Sequence, residues 1–385
     1  MEKVLDIEGL NVRFYTYEGV VRAIEGIDLH VIRGETLGIV GETGCGKSVT
    51  ALSIMNLVPT PGKIESGKLL FIKKDKTIDI LKEEPIMKEI RGKDISLIFQ
   101  EPGAALNPVY TVGAQIEEVL LLHRRKSLLD KTLKGIEADI KGACKSSSFK
   151  LQIYKFERRI YDNIMSEKKS HLIKFISRIP IINLYKRRLE KEVREEVIEL
   201  LRELEIADPE RVLDMYPHEL SGGMQQRIVI AIALACNPTL LIADEPTTSL
   251  DVTIQAQILD LIRRLKERFG STVIFITHDM GVIAEMCDRV AVMYAGCICE
   301  VADVFELFKK PLHPYTKALL ESIPRPGMPF KSIKGTVPNL IDPPSGCRFH
   351  PRCPKAKEMC SKVRPNVREV SKGHFVSCHL YSKVE

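Results

Sequence analysis

The sequence offers nothing that would span a bilayer as a helix. Although 44% of its 385 residues are apolar, no uninterrupted apolar run approaches the about 18 residues that such a helix needs. Its first residues, MEKVLDIEGLNVRF, show no basic patch followed by an apolar stretch, which argues against a secretory signal and predicts a cytoplasmic protein. Without export, the ten cysteines do not read as a disulfide scaffold; they are reduced thiols or metal ligands. No internal repeat is visible. The length exceeds the usual single-domain range, so one large α/β domain with appended pieces is expected.

Charge is scarce in one sense and concentrated in another. The net +6 hides a segment, Arg124 to Glu195, with 20 Lys and Arg against 9 Asp and Glu, a local +11 that leaves −5 for the rest. The chain is therefore not globally basic. Within that segment KSSSFKLQIYKFERR and KKSHLIKFISRIPIINLYKRRLEKE interleave aromatic and aliphatic residues with Lys and Arg. Such a pattern suits either a solvated helical insert or an amphipathic surface drawn to anionic lipid. It carries no RNA-binding signature.

What is present is phosphate chemistry. GETGCGKS, Gly41 to Ser48, lies between the buried-strand pattern TLGIV and the helical pattern VTALSIMNL. In such a loop backbone N–H groups converge on phosphates at a helix N-terminus, Lys47 reaches the β- and γ-phosphates and Ser48 holds Mg²⁺. The apolar strand LLIADEP ends in two carboxylates: Asp244 suits Mg²⁺ coordination and Glu245 suits polarising a water. Between these motifs, Ser221, Gly222 and Gly223 precede a long helix in HELSGGMQQRIVIAIALA, a second candidate anion-binding helix start. Strands recur from LLIADEP through TVIFITHD to RVAVMY with helices between them, the alternation of a largely parallel sheet. One such helix should bury Ile254, Ile258, Leu261 and Leu265 and stop at Gly270.

Together these motifs resemble the ATP-binding cassette ATPases of membrane transporters. GETGCGKS resembles Walker A, LSGGMQQR the signature, LLIADEP Walker B, and Ser249 to Asp251 the D-loop; Gln100 in LIFQEP resembles the Q-loop glutamine and His278 in ITHD the switch histidine. Further stretches, FQEPGAALNPVYTVGAQIEE, YPHELSGGMQQR, ADEPTTSLDVTIQAQIL and HPYTKALLESIP, resemble the oligopeptide and dipeptide importer subfamily, some relatives of which handle nickel. The resemblance implies a P-loop NTPase fold: a RecA-like core, an antiparallel β subdomain and a helical subdomain at about 106–230 that carries the basic insertion at about 124–195. The nucleotide-binding domain would span 1–323.

For the site, the resemblance implies that Gly41, Glu42, Thr43, Gly44, Cys45, Gly46, Lys47, Ser48 and Val49 cradle ATP, with Ser48, Gln100 and Asp244 around Mg²⁺. Glu245, His278, Gln100 and Lys47 would carry catalysis. Tyr17, with Tyr15 close behind, is the candidate for stacking on adenine, although both also suit packing on the sheet. Ser221, Gly222, Gly223 and Asp251 would meet nucleotide bound mainly by a second, related ATPase in a head-to-tail dimer. Two transmembrane permease subunits and an extracellular solute-binding protein are the implied partners, placing the chain at the cytoplasmic face of the membrane. A soluble cassette ATPase acting on ribosomes or nucleic acid is the alternative, and nucleic acid is not expected; a redox-sensing regulator is a third.

Residues 324–385 read as a proline-rich linker and a small module. Cys347, Cys353, Cys360 and Cys378 give Cys-x5-Cys-x6-Cys-x17-Cys, a thiolate set suited to Zn²⁺ or an iron–sulfur cluster, without the close Cys-x2-Cys of common zinc sites. The resemblance implies a [4Fe-4S] cluster here; His350, His374 and His379 lie nearby and suit either substitute ligands or exposed loop histidines. So small a module has little core of its own, so metal binding would supply its stability.

Overall fold

The computed structural model describes residues 2–74, 76–143, 148–165, 183–248, 250–324 and 332–381. Two compact units make up the chain: residues 1–101 with 237–385, and residues 102–236. Cys144, Ser249 and the middle of the basic insertion, 166–182, lie outside the described residues.

In the first unit, β1 (Lys3–Thr16) and β2 (Gly19–Ile32) alternate inward apolar and outward polar residues, and they pair antiparallel. β3 (Thr36–Val40) is buried along its whole length and leads into the glycine loop. β4 (Gly62–Lys73) and β5 (Lys76–Asp79) complete a four-stranded antiparallel sheet in the order β2-β1-β4-β5. β6 (Ile95–Ile98), β7 (Leu240–Asp244), β8 (Thr272–Thr277) and β9 (Arg289–Tyr294) join β3 in parallel. Continuous apolar runs such as LLIAD and TVIFIT are what a strand covered on both faces requires.

β10 (Cys297–Asp303) turns back antiparallel on β9, and the hairpin β11 (Val367–Ser371) and β12 (His374–Ser377) adds to β10. The eight-stranded order is β11-β12-β10-β9-β3-β8-β7-β6. Leu5, Ile7 and Val12 of the small sheet meet Leu37, Ile39, Ile242 and Ile274 of the large one in a single core. A second core on Val40, Val290 and Val292 receives Phe349 from the tail. The helix Val252–Phe269 buries Ile258, Leu261 and Leu265, leaves Ile254 half-buried, and ends at Gly270 with φ +63°.

The second unit is helical. Arg125–Ala143 and Ser148–Met165 pack around Leu129, Ile136 and Tyr161, and Arg188 donates a hydrogen bond to Asp139 at 2.8 Å and forms an ion pair with Glu157 at 3.1 Å while its guanidinium lies 5.1 Å from the Tyr154 ring centroid. The described part of the basic insertion thus has its own small core and acidic partners. The helix Gly222–Leu234 starts at Ser221, whose Oγ accepts the Met224 N–H at 3.4 Å.

Buried carboxylate and imidazole groups fasten the tail to the rest of the first unit. Glu300 accepts the backbone N–H groups of Leu312 and His313, each at 2.8 Å, and lies 2.7 Å from His374 Nε2 on β12. Beside it, burial pushes the His313 imidazole down to about 3, and its Nδ1 accepts the Tyr315 N–H. Since unfolding returns His313 to an ordinary value near 6.5, the unfolded chain binds the extra proton between those two values. This group's contribution is then lost as pH falls below about 6.5, by up to about 1.4 kcal/mol per pH unit. Replacing His313 with Asn should flatten the acid side of a urea-unfolding profile; an unchanged slope would mean that the imidazole is protonated while folded.

Candidate active site

Strand order assembles the site. The glycine loop follows β3, His278 follows β8, Glu245 follows β7 and Gln100 follows β6, so four neighbouring parallel strands deliver their carboxyl ends to one place, where open α/β sheets bind ligands.

The loop is built so that only glycine fits at its bends. A Cβ on Gly41 would lie 2.1 Å from the Met293 carbonyl oxygen, and Gly46 has φ +105° with the Ala23 carbonyl 2.7 Å from where a Cβ would sit. The helix Lys47–Ile54 begins immediately after. Lys47 is 5% exposed, and its Nζ donates to the carbonyls of Gly41 at 2.9 Å and Glu42 at 3.2 Å. Thr43 and Gly44 are exposed at the loop's mouth, Val49 is half-buried, and Cys45 is fully buried.

Ser48 Oγ donates to Asp244 Oδ1 at 3.1 Å. Asp244 is 8% exposed, and burial pushes its pKa up despite the Ser48 bond. A hydroxyl beside a desolvated carboxylate fits a hard, oxygen-seeking cation such as Mg²⁺, which would offset the cost of burying that charge.

Glu245, 9% exposed, takes up φ +46°, an uncommon backbone state for a residue with a Cβ. Its Oε2 collects three partners: Thr248 Oγ1 at 2.9 Å, His278 Nδ1 at 3.2 Å and Gln100 Nε2 at 3.3 Å. Its Oε1 faces Lys47 Nζ at 3.8 Å. Lys47, Ser48, Gln100, Asp244, Glu245 and His278 thus form one constellation. Thr248 escaped the sequence reading, though a hydroxyl three residues beyond a strand-end carboxylate is a recognisable turn signal.

The remaining candidates stand apart. Tyr17 is 97% exposed at the β1–β2 turn, while Tyr15 Oη donates to Glu65. Asp251 caps its helix by accepting the Ile254 N–H at 3.0 Å. Ser221, Gly222 and Gly223 belong to the helical unit, and space is open around Gly222.

The cysteine-ligated metal module expected from the sequence, as [4Fe-4S] or as Zn²⁺, is not shown. Among the described residues, which include all four cysteines, no three His, Cys, Asp or Glu side chains are arranged to hold a metal ion. Burial pushes the Cys347 thiol up to about 11 and raises those of Cys353 and Cys378, and the neighbouring cysteines add to each shift, so these thiols lie within electrostatic reach of one another. The substitute ligands are engaged elsewhere: His374 with Glu300, His379 Nε2 with the Val363 carbonyl at 2.8 Å, His350 Nδ1 with the Cys347 carbonyl at 3.0 Å. Protein contacts fix the tail. Phe349 packs between Tyr294 and Tyr315, with centroids 5.2 and 5.3 Å away.

A glycine loop, a strand-end carboxylate pair and a histidine on neighbouring parallel strands define a P-loop ATPase of the cassette type. Residues 24–248 match the family described as ABC transporter, and residues 299–360 match the oligopeptide/dipeptide transporter C-terminal region. A probable peptide ABC transporter ATP-binding protein of Sinorhizobium fredii is 44% identical over 99% of this chain and 96% of its own. The dipeptide transport ATP-binding protein DppD of Bacillus subtilis is 42% identical over 99% and 95%. Among solved structures, cbiO1 of Clostridium perfringens, part of the transporter complex cbiONQ, shares the fold with TM-score 0.52 and 25% identity over 80% of this chain and 92% of that one. The chain belongs to the ABC transporter family, among the ATP-binding subunits of its oligopeptide and dipeptide importers. It is an ATPase. Among the described residues no helix is long and apolar enough to cross a membrane.

Cys45 shows how closed the loop is. Burial pushes its thiol up to about 11, so at pH 7.5 its thiolate is about a hundredfold scarcer than that of a thiol with pKa 9. Iodoacetamide should therefore label Cys45 at least about a hundredfold more slowly in the folded chain than in urea, read by peptide mass spectrometry. Comparable rates would mean that the loop opens readily.

Proposed function

We propose that this chain couples ATP hydrolysis to the import of di- or oligopeptides, and that Glu245 is the residue that orients the attacking water. The observation that carries this reading is the asymmetry of its carboxylate. Oε2 is held by Thr248, His278 and Gln100, while Oε1 faces the lysine of the phosphate loop. A carboxylate fixed through one oxygen presents the other to a water in line with the γ-phosphate, and positioning of this kind is most of what catalyses phosphoryl transfer.

Lys47, already held by two loop carbonyls, would donate to the β- and γ-phosphate oxygens, which are stronger acceptors because they are charged. Ser48, Asp244 and Gln100 would hold Mg²⁺, which neutralises charge developing on the phosphates. His278 Nδ1, 3.2 Å from Glu245, would keep the carboxylate oriented and present its other nitrogen towards the γ-phosphate. Tyr17, exposed at the turn ahead of the loop, would stack on adenine.

The Ser221 turn and Asp251 would complete the ATP site of a second, related ATPase subunit; the supporting observation is the free helix start, with space open around Gly222. Closing of that pair on ATP and reopening after hydrolysis would be passed to two permease subunits at the cytoplasmic face of the membrane, with solute delivered by an extracellular binding protein. Likeness to peptide-transport ATPases over 99% of the chain supports this reading over a soluble ATPase acting on ribosomes.

Two experiments test the reading. Glu245→Gln should lower kcat by about 10²- to 10⁴-fold with ATP still bound, and when purified from native membranes in MgATP it should carry permeases and a second ATPase. Ribosomal partners without a permease would overturn the importer. Thr248→Val should lower kcat by about 3- to 10-fold with the Kd for ATP unchanged, because it frees one of three anchors; an unchanged kcat would show that Thr248 does not hold Glu245 in place.

A further inference from the structure

The phosphate loop is gripped by the far end of the chain. Arg352, in the tail, has its side chain 5% exposed and makes a bidentate pair with Glu42, the second residue of the loop, at 2.7 and 3.0 Å. The same guanidinium is fixed from two other sides. Its Nε donates to the Lys334 carbonyl at 2.9 Å, and it lies against Tyr294, donating to the hydroxyl at 3.3 Å with the ring centroid 5.7 Å away.

Glu42 is held at three points. Arg352 takes its carboxylate, the Tyr315 hydroxyl accepts its N–H at 2.9 Å, and its carbonyl accepts Lys47 Nζ at 3.2 Å. A second tail arginine works alongside. Arg348 pairs with Glu25 and donates to the Ala295 carbonyl, and the adjoining Gly296 N–H donates to the carbonyl of Cys45 in the loop at 2.8 Å. Both arginines come from the short stretch Arg348–Arg352, which Phe349 locks into the aromatic cluster.

We propose that Arg352 is a positioning residue for ATP: through Glu42 it fixes the carbonyl that aims Lys47, so the C-terminal tail sets the affinity of the phosphate loop for nucleotide. The guanidinium contacts Glu42, Lys334 and Tyr294. It acts by removing freedom from a loop that must otherwise be ordered when ATP binds, and a bidentate, largely desolvated arginine–carboxylate pair is the strongest side-chain device for that task. This proposal rests on the loop's being the ATP site.

The test uses the full chain and a fluorescent ATP analogue, with steady-state ATPase measured in parallel. Arg352→Ala and Glu42→Gln should each raise the Kd and KM for ATP by about tenfold, with kcat at saturating ATP within about twofold in Arg352→Ala, and Arg352→Lys should raise them by about threefold, recovering only part of the loss. Glu42→Gln leaves the tail untouched, so it reads the same coupling should Arg352→Ala unfold. The Arg352→Ala/Glu42→Gln double variant should bind ATP no worse than either single variant. Additive losses, an unchanged Kd, or a fall in kcat without a change in Kd would overturn the proposal. Lys47→Ala separates the two layers: ATP affinity unchanged in that variant would sink the nucleotide site itself, whereas its loss alongside unaltered Arg352 variants would sink only the role of the tail.

Discussion

The parallel register of four strands is the constraint on which the rest depends. β6, β7 and β8 pair through Ile98↔Ala243 and Ala243↔Phe275, and β8 meets β3 through Thr277↔Val40. That registration sets Gln100, Glu245 and His278 level with one another, one residue or two beyond the last paired position of each strand. A slip by one residue would turn every side chain of a strand to the opposite face and separate the three groups that share one carboxylate oxygen. The register is held by the core, since Ile242, Ile274 and Leu37 are buried and have no alternative face to present to water. Site geometry and core packing are therefore the same constraint seen from two ends of a strand.

Much of this was legible in the chain because its signals are local. GETGCGKS between a buried strand and a helix, and LLIADEP as an apolar run closing on two carboxylates, announce their backbone context within about ten residues. The stop at Gly270 ends its helix by an equally local rule. Contacts distant in sequence were not legible. No pattern within the tail says that Arg352 pairs with a residue 310 positions earlier, or that β12 will extend the main sheet beside β10. The cysteines were legible only in part: spacing gives the order of thiols along the chain, whereas coordination needs their sulfurs to converge as thiolates. In the fold, the thiols of Cys347, Cys353 and Cys378 are raised by burial and by one another, and the nearby histidines serve carboxylate and carbonyl partners.

The tail is also a structural element of the core. Its hairpin continues the central sheet, its phenylalanine completes an aromatic cluster, and its arginines reach the loop and β2. Arg364 adds to this grip by donating to the Glu25 carbonyl. Without the hairpin, β10 would be a bare edge, with unpaired backbone groups of the kind that recruit foreign strands. The antiparallel additions β10, β12 and β11 thus finish a sheet whose parallel part does the chemistry.

The bridge between Glu42 and Arg352 has a consequence for how the protein is made. Residues emerge from a ribosome in order, and at about 5–20 residues per second the interval separating these two is about 15–60 s. During that time the glycine loop and its strand are already available to fold, while the guanidinium that fastens them does not yet exist. The loop therefore passes through its early life unfastened, and the grip on it closes only when synthesis is nearly complete.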